Sequence, residues 1–270
     1  MQTARRLRSR MTIPTSDLLG FRDGSTSVHM SRTMMLEELK LILERVKTNA
    51  PASTYADAIM EENVLGKPTR STRQRTAKRL TELYALDPRC TLFRLLRYFW
   101  SADRGSQPML AFLAACGRDP LLRQSTPFIV SIPMGQIVSP AEIAKHLNEQ
   151  YPSRFRPTTL LSAAQNLASS WTQAGYLKGK VNKQKSRPPV TPVVAAFALL
   201  LGYLSGLRGS LLLDSIWTRL LNCSTGELTD LTAEASRQGW LRYKASGPVV
   251  EITFSGLLTS AEEQAAYEQD

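Results

Sequence analysis

Few residues in this chain have the types and spacing that chemistry needs. The two histidines are His29, in a Ser/Thr-rich stretch, and His146, inside a helical pattern. Neither has a second ligand at metal-binding spacing, so no metal site is expected. Cys90, Cys116 and Cys223 lie far apart among apolar residues, with no C-x-x-C. They read as small buried thiols in a reducing compartment, not as disulfides. No G-x-x-x-x-G-K-[ST], G-x-G-x-x-G or G-x-S-x-G occurs. That removes the usual handles for nucleotide hydrolysis, dinucleotide chemistry and acyl transfer. Glu38-Leu39-Lys40, with Asp23 upstream, has the composition of a metal-dependent nuclease centre, where carboxylates hold the ion and a lysine steadies the water. Its helical period instead places Glu38 and Lys40 among solvated helix charges. The expectation is a protein with no catalytic residue, no metal and no cofactor, and so not an enzyme.

Charge is the stronger signal. Lys and Arg number 34 against 23 Asp and Glu, a formal net charge of +11. Such an excess speaks of partners rather than of fold: nucleic acid first, then an anionic membrane surface or an acidic protein. Two clusters concentrate it. Lys67, Arg70, Arg73, Arg75, Lys78 and Arg79 follow one another without an acidic residue, in a loop leading into a helix. Long cationic side chains and the free N–H groups of a helix start both suit phosphate. Lys178, Lys180, Lys183, Lys185 and Arg187 form the second acid-free cluster, where a hairpin loop would reach along a nucleic-acid backbone. A charge run is more often a plain solvated face, and the second cluster carries that reading about as well as the functional one. If both bind, about six to ten phosphate contacts would make affinity fall steeply with salt. Thr158, Thr159, Ser162 and Gln165 fall on one side of a helix that could face base edges.

The elements that must position these groups are mostly helices. Leu36, Leu39, Ile42/Leu43 and Val46 recur at helical spacing and predict a helix over 33–48. Thr54 with Asp57 resembles a capping box that opens a second helix, to about Asn63. The basic helix runs to Leu86. Asp87-Pro88 reads as the cap and first residue of the next helix, ending near Ser101. Gln107-Pro108 opens another, ended by Gly117, and Asp119-Pro120 opens one more. Phe128-Ile129-Val130 reads as extended. Ser139-Pro140-Ala141-Glu142 is a full helix start, and 158–174 is a second helix closed by Gly175. Helix, turn, helix, Gly-aromatic-Leu and a basic loop suggest a winged helix-turn-helix. The pattern returns in Ser224…Glu227, Gly239, Trp240-Leu241 and two short strands. WTQAGYLKGK (171–180) and EASRQGWLRYK (234–244) form a weak internal repeat.

The expected fold is therefore mainly α. A basic irregular arm (1–30) leads to a helical domain (31–125). Two winged-helix-like modules with short β-hairpins follow (126–190 and 191–260), then an acidic tail (261–270) that frays. Val193–Leu204 is the longest apolar run, short of the about 20 residues that cross a bilayer. The four arginines of MQTARRLRSRM have no apolar segment after them, which argues against a secretory signal. No membrane partner and a cytoplasmic location are expected.

The stretch ENVLGKPTRSTRQRTAKRLTELY resembles a segment of the BrxA family of bacterial BREX anti-phage systems. TMMLEELKLILERV before it and PMLAFLAACGRDPLLR after it fit the same order, and EITFSGLL stands near the family's C-terminal strand. The resemblance implies a cytoplasmic, mostly helical, non-enzymatic protein whose N-terminal bundle looks like an RNA-binding antitermination factor. It also implies a DNA-binding role, carried here by Lys67, Arg70, Arg73, Arg75, Lys78 and Arg79. The leading expectation is an accessory protein that binds double-stranded DNA and works with other defence-system subunits. The alternatives are RNA in place of DNA, or an adaptor whose basic face docks an acidic subunit.

Overall fold

The computed structural model describes residues 18–152, 154–247 and 249–268. Helices dominate, with two small antiparallel sheets. The first helix, α1 (Leu36–Arg45), buries Leu36, Leu39, Ile42 and Leu43, a stripe at helical spacing. It starts three residues later than Thr33 because Met35 sits in the left-handed region (φ 54°). Tertiary contacts hold that kink: the Tyr84 hydroxyl donates to the Met34 carbonyl, and the Met34 N–H donates to Ser170 Oγ at 2.8 Å. The next helix, α2 (Ala52–Met60), begins directly after Pro51 with no side-chain cap. Thr54 thus lies inside the helix, and the capping box expected at Thr54–Asp57 does not form.

The basic helix is α3 (Arg70–Tyr84). Thr69 Oγ1 accepts the Thr72 N–H at 3.1 Å, a cap worth about 1 kcal/mol. Thr76, Leu80, Leu83 and Tyr84 are its buried side. Asp87-Pro88 does not open the following helix. Asp87 accepts the Arg89 N–H and holds the Arg89 guanidinium, making a turn, and α4 (Thr91–Trp100) starts after Cys90. Buried Arg97 on α4 donates to the Leu43 and Val46 carbonyls at 2.7 Å each, satisfying the open end of α1. In α5 (Gln107–Arg118) Gly117 is not a stop. A Cβ there would come within 3.1 Å of Leu92 and 3.3 Å of Phe21, so glycine permits close packing inside the helix. Asp119 caps α6 (Pro120–Gln124) as expected. Phe128–Val130 is helical rather than extended, in α7 (Thr126–Ser131), where Pro127 sits in the first turn and the Ile129 N–H bonds to the Ser125 carbonyl.

The next unit is β1 (Ile137–Val138), α8 (Pro140–Gln150), α9 (Pro157–Gln173), β2 (Leu177–Lys178) and β3 (Lys183–Lys185), with sheet order β1-β3-β2. Ser139 and Glu142 complete their capping box. Then α10 (Pro192–Leu204), the longest apolar run, is buried from Val193 to Leu204. A second unit follows: α11 (Ile216–Arg219), α12 (Thr225–Arg237, with the Ser224/Glu227 capping box) and the hairpin β4 (Arg242–Ser246)–β5 (Val249–Thr253). Gly175 and Gly239 end α9 and α12 at φ +89° and +77°, the backbone reason both helices stop at glycine. The C-terminal stretch does not fray. Its helix α13 (Ser260–Tyr267) has a capping box at Thr259/Glu262, and Glu262 lies buried against Arg94 at 2.7 Å. Residues 18–30 are also fastened: Leu19, Phe21, Val28 and His29 are buried, and Leu18 and Leu19 carbonyls accept from Thr91 and Leu92. The rest of the basic arm lies outside the described residues. Buried apolar side chains from all these parts form a single core.

Candidate nucleic-acid interface

The structure divides the first basic cluster by what each cation touches. Lys67 pairs with Glu38 at 3.0 Å, Arg70 with Glu61 at 3.5 Å and Arg79 with Glu82 at 2.7 Å. Arg73 turns back and donates to the Met60 carbonyl at 2.6 Å, fastening α3 to the end of α2. Arg75 reaches only Ser71 Oγ at 3.1 Å, and Lys78 has no ionic partner among the described residues; both are exposed. The cluster is acid-free along the chain yet not in space, because carboxylates from α1 and the end of α2 come to meet it. Its free charge is concentrated on Arg75 and Lys78, with the surface pair at Arg70 giving up little to solvent. Lys78 also lines a groove of about 620 Å³ with Arg22, Arg118 and Thr81. Glu38 and Lys40 lie on α1 in pairs with Lys67 and Glu37, and Asp23 pairs with Arg123, so the nuclease-like fragment is dispersed into separate ion pairs. Among the described residues no three His, Cys, Asp or Glu side chains gather as a metal set.

The second cluster is corrected at two of its five positions. Lys183 and Lys185, expected on a free loop, point inward from β3 and are buried. Lys183 Nζ donates to Thr172 Oγ1 at 2.9 Å, tying the hairpin to α9. Lys185 Nζ donates to the Ile129 carbonyl at 2.9 Å and sits 5.0 Å from the Tyr176 ring centroid. Burial pushes the Lys185 ammonium down to about 8. The cause is strand alternation: with Gln184 facing out, 183 and 185 must face in. Arg187 pairs with Glu227 at 2.9 Å. Lys178 and Lys180 remain exposed, flanking the turn at Gly179 (φ +102°), with Val181 83% exposed beside them.

Beside this hairpin lies the outer side of α9. Arg156, Thr158, Leu161, Ser162 and Gln165 are exposed, Thr159 is half-buried, and α9 carries no acidic residue. Arg154 and Arg156 stand at its entrance. Arg154 stacks over Tyr151 and Phe155 and donates to the Ser25 carbonyl at 2.7 Å. From 126 to 190 eight Lys and Arg stand against Glu142 and Glu149 only. His146 is half-buried and stacked on Phe128 at 4.8 Å, and burial lowers its pKa.

The inner side of α9 is held by a buried polar cluster. Ser170 Oγ accepts from Met34 N and lies 2.9 Å from His29 Nε2. His29 Nδ1 lies 3.1 Å from Asp119 Oδ2, off the line of a good hydrogen bond. Asn166 donates to the His29 carbonyl, and Gln173 accepts the Leu36 N–H. Burial alone would raise the Asp119 carboxyl. The charge of His29 3.1 Å away, the Leu122 N–H and the Ser27 hydroxyl outweigh it and hold the group at about 2. Ser, His and Asp here have the connectivity of an acyl-transfer triad. All three are buried, however, and Ser170 spends its oxygen on a backbone N–H, so the contacts fix α9 against residues 27–36. His29 was thus misplaced by sequence reasoning, which assigned it to the arm.

These features define a mainly helical protein with two helix-and-hairpin units behind an N-terminal bundle. Residues 27–125, from the segment bearing His29 through α3 to the end of α6, match the family model of BrxA. That likeness suggests a component of a BREX phage-defence system. The chain has no match among curated proteins. Among the described residues no helix is long and apolar enough to cross a membrane.

Proposed function

We propose that this protein is a non-enzymatic nucleic-acid-binding component of a BREX-type system, with double-stranded DNA as its ligand. One observation carries the reading: the unit β1–β3 presents exposed Lys178 and Lys180 beside the acid-free outer side of α9, with Lys183 and Lys185 spent on holding the hairpin in place. The helix front suits a groove and the lysines suit the flanking phosphates. Arg75 and Lys78 of α3 supply a second cationic patch. Electrophoretic mobility shifts over a salt series test this. Binding should weaken as salt rises, with a log–log slope of about −2 to −4 if two to four phosphates are neutralised. Absence of a shift at low salt overturns the proposal. Competition between DNA and RNA duplexes of one sequence decides the polymer.

The pairing of Lys67, Arg70 and Arg79 with carboxylates favours a second role for the bundle, as a surface for other defence-system subunits. Co-purification that survives nuclease, with no shift of free DNA, would put this adaptor role first.

A further inference from the structure

The two units can be laid on each other by Gly175 and Gly239, 64 positions apart. Tyr176 then falls on Trp240, Leu177 on Leu241 and Leu167 on Leu231. In the first unit one stripe of α9 is Ala163, Asn166, Ser170 and Gln173. Residues 27–36 lie along it, and three of the four side chains grip that segment's backbone: Asn166 donates to the His29 carbonyl, Ser170 accepts from Met34 N and Gln173 accepts from Leu36 N. The matching stripe of α12 is Glu227, Asp230, Glu234 and Arg237; residues Arg187–Val190 border its N-terminal end through the Arg187–Glu227 pair, and Glu227, Asp230 and Arg237 are exposed and Glu234 is partly so. The repeat has kept the helix without a segment clamped along it as residues 27–36 are on α9.

The stripe borders a groove of about 480 Å³, walled by Pro188, Pro189, Val190 and Leu231 and edged by Asp230. Glu227 accepts from the Ser224 cap and from Arg187, and Glu234 accepts from Arg237 and Gln238. Asp230 has no hydrogen-bond or ion-pair partner among the described residues. A guanidinium therefore already sits on this face, beside a free carboxylate and apolar walls, in a chain whose net charge is +11. Phosphate would be repelled here. Backbone N–H groups and cationic side chains would be accepted.

We infer that the outer face of α12 docks an extended, lysine- or arginine-bearing segment of a partner protein, in the place that residues 27–36 occupy on α9. This stands apart from the nucleic-acid reading and does not need it. The test uses the full chain, free of nucleic acid, and fluorescence anisotropy of a labelled peptide of four Lys-Val repeats, with four Glu-Val repeats as control. The Lys-Val peptide should bind and the Glu-Val peptide should not. Asp230→Lys should weaken binding at least tenfold and Asp230→Asn about threefold. Glu251→Lys, on the hairpin, should change it less than twofold. Lack of Lys-Val binding, or equal losses at 230 and 251, overturns the inference. So does sedimentation showing a dimer that Asp230→Lys dissolves, since a second copy would then own the face. The exposure of Asp230 keeps these variants foldable, which a thermal melt verifies.

Discussion

The units around α9 and α12 share a layout: a capped or proline-led helix, a left-handed glycine, an aromatic, a leucine and a hairpin. They differ in what each helix does with its two sides. On α9 one side is clamped to the N-terminal segment through small neutral polar residues, and the other is cationic or neutral and open. On α12 the stripe equivalent to the clamped side bears three carboxylates and faces solvent. Backbone geometry is thus compatible with opposite surfaces. The division follows from side-chain size and charge: Ser170 can be sealed against a main chain, and a carboxylate at the same place cannot be sealed without a partner.

Exchanging residues between the units is the strongest way to break the comparison. Ser170→Glu should cost at least about 4 kcal/mol, because it buries an unpaired charge and removes the acceptor for Met34 N. Glu234→Ser should stay within about 0.5 kcal/mol, since its partners are exposed. Urea unfolding measures both, and similar losses would show that the two faces are not distinct. Asp119→Ala comes next. It should cost about 3 kcal/mol by leaving Leu122 N, Val28 N and Ser27 unpaired. It should also change the acid limb. Asp119 is held at about 2, below the about 3.9 of an unfolded aspartate. Its contribution, on the order of 2 kcal/mol, is therefore present above about pH 4 and lost as pH falls through 2; the variant should lack that part of the acid transition.

Binding effects should be smaller and should sharpen the contrast. Lys178→Glu with Lys180→Glu should lower DNA affinity by at least tenfold near 0.1 M salt and flatten the salt slope by about two units. The matching pair in the second hairpin, Arg242→Glu with Lys244→Glu, should lower it less than threefold. Arg75→Ala with Lys78→Ala should fall between. Lys185→Met should be the weakest on DNA, under twofold. Its folded ammonium titrates near 8 against about 10.4 unfolded, so the wild type gains stability as pH rises from 8 to 10.4; the variant should not.

Periodicity and caps made much of this molecule legible. The apolar stripe of α1, the Ser139/Glu142 and Ser224/Glu227 boxes and the hairpin β4–β5 are local features, and local rules found them. The errors lie where distant residues decide. Met35 is kinked by Tyr84 and Ser170, Asp87 serves a turn, and Gly117 answers to Phe21 and Leu92. Of the candidate site, the positions of the cations could be read, but not their partners. Glu38 reaches Lys67 from 29 residues away, and Lys183 and Lys185 turn inward because strand register settles their direction. Such pairings depend on tertiary placement, which charge counting along a chain does not see.

The cluster joining His29, Met34, Asp119 and Ser170 has a consequence for how the chain is made. Its closures span 90 to 141 residues. A nascent chain that has emerged only as far as α6 has every family-matched residue outside the ribosome and still lacks Ser170, the acceptor for Met34. The bundle must wait, with His29 and the kink at Met35 unsealed, until α9 appears. Closure of so long a loop is slow compared with growth of a single helix. The sealing of residues 29–36 is therefore timed by synthesis of the unit after the bundle.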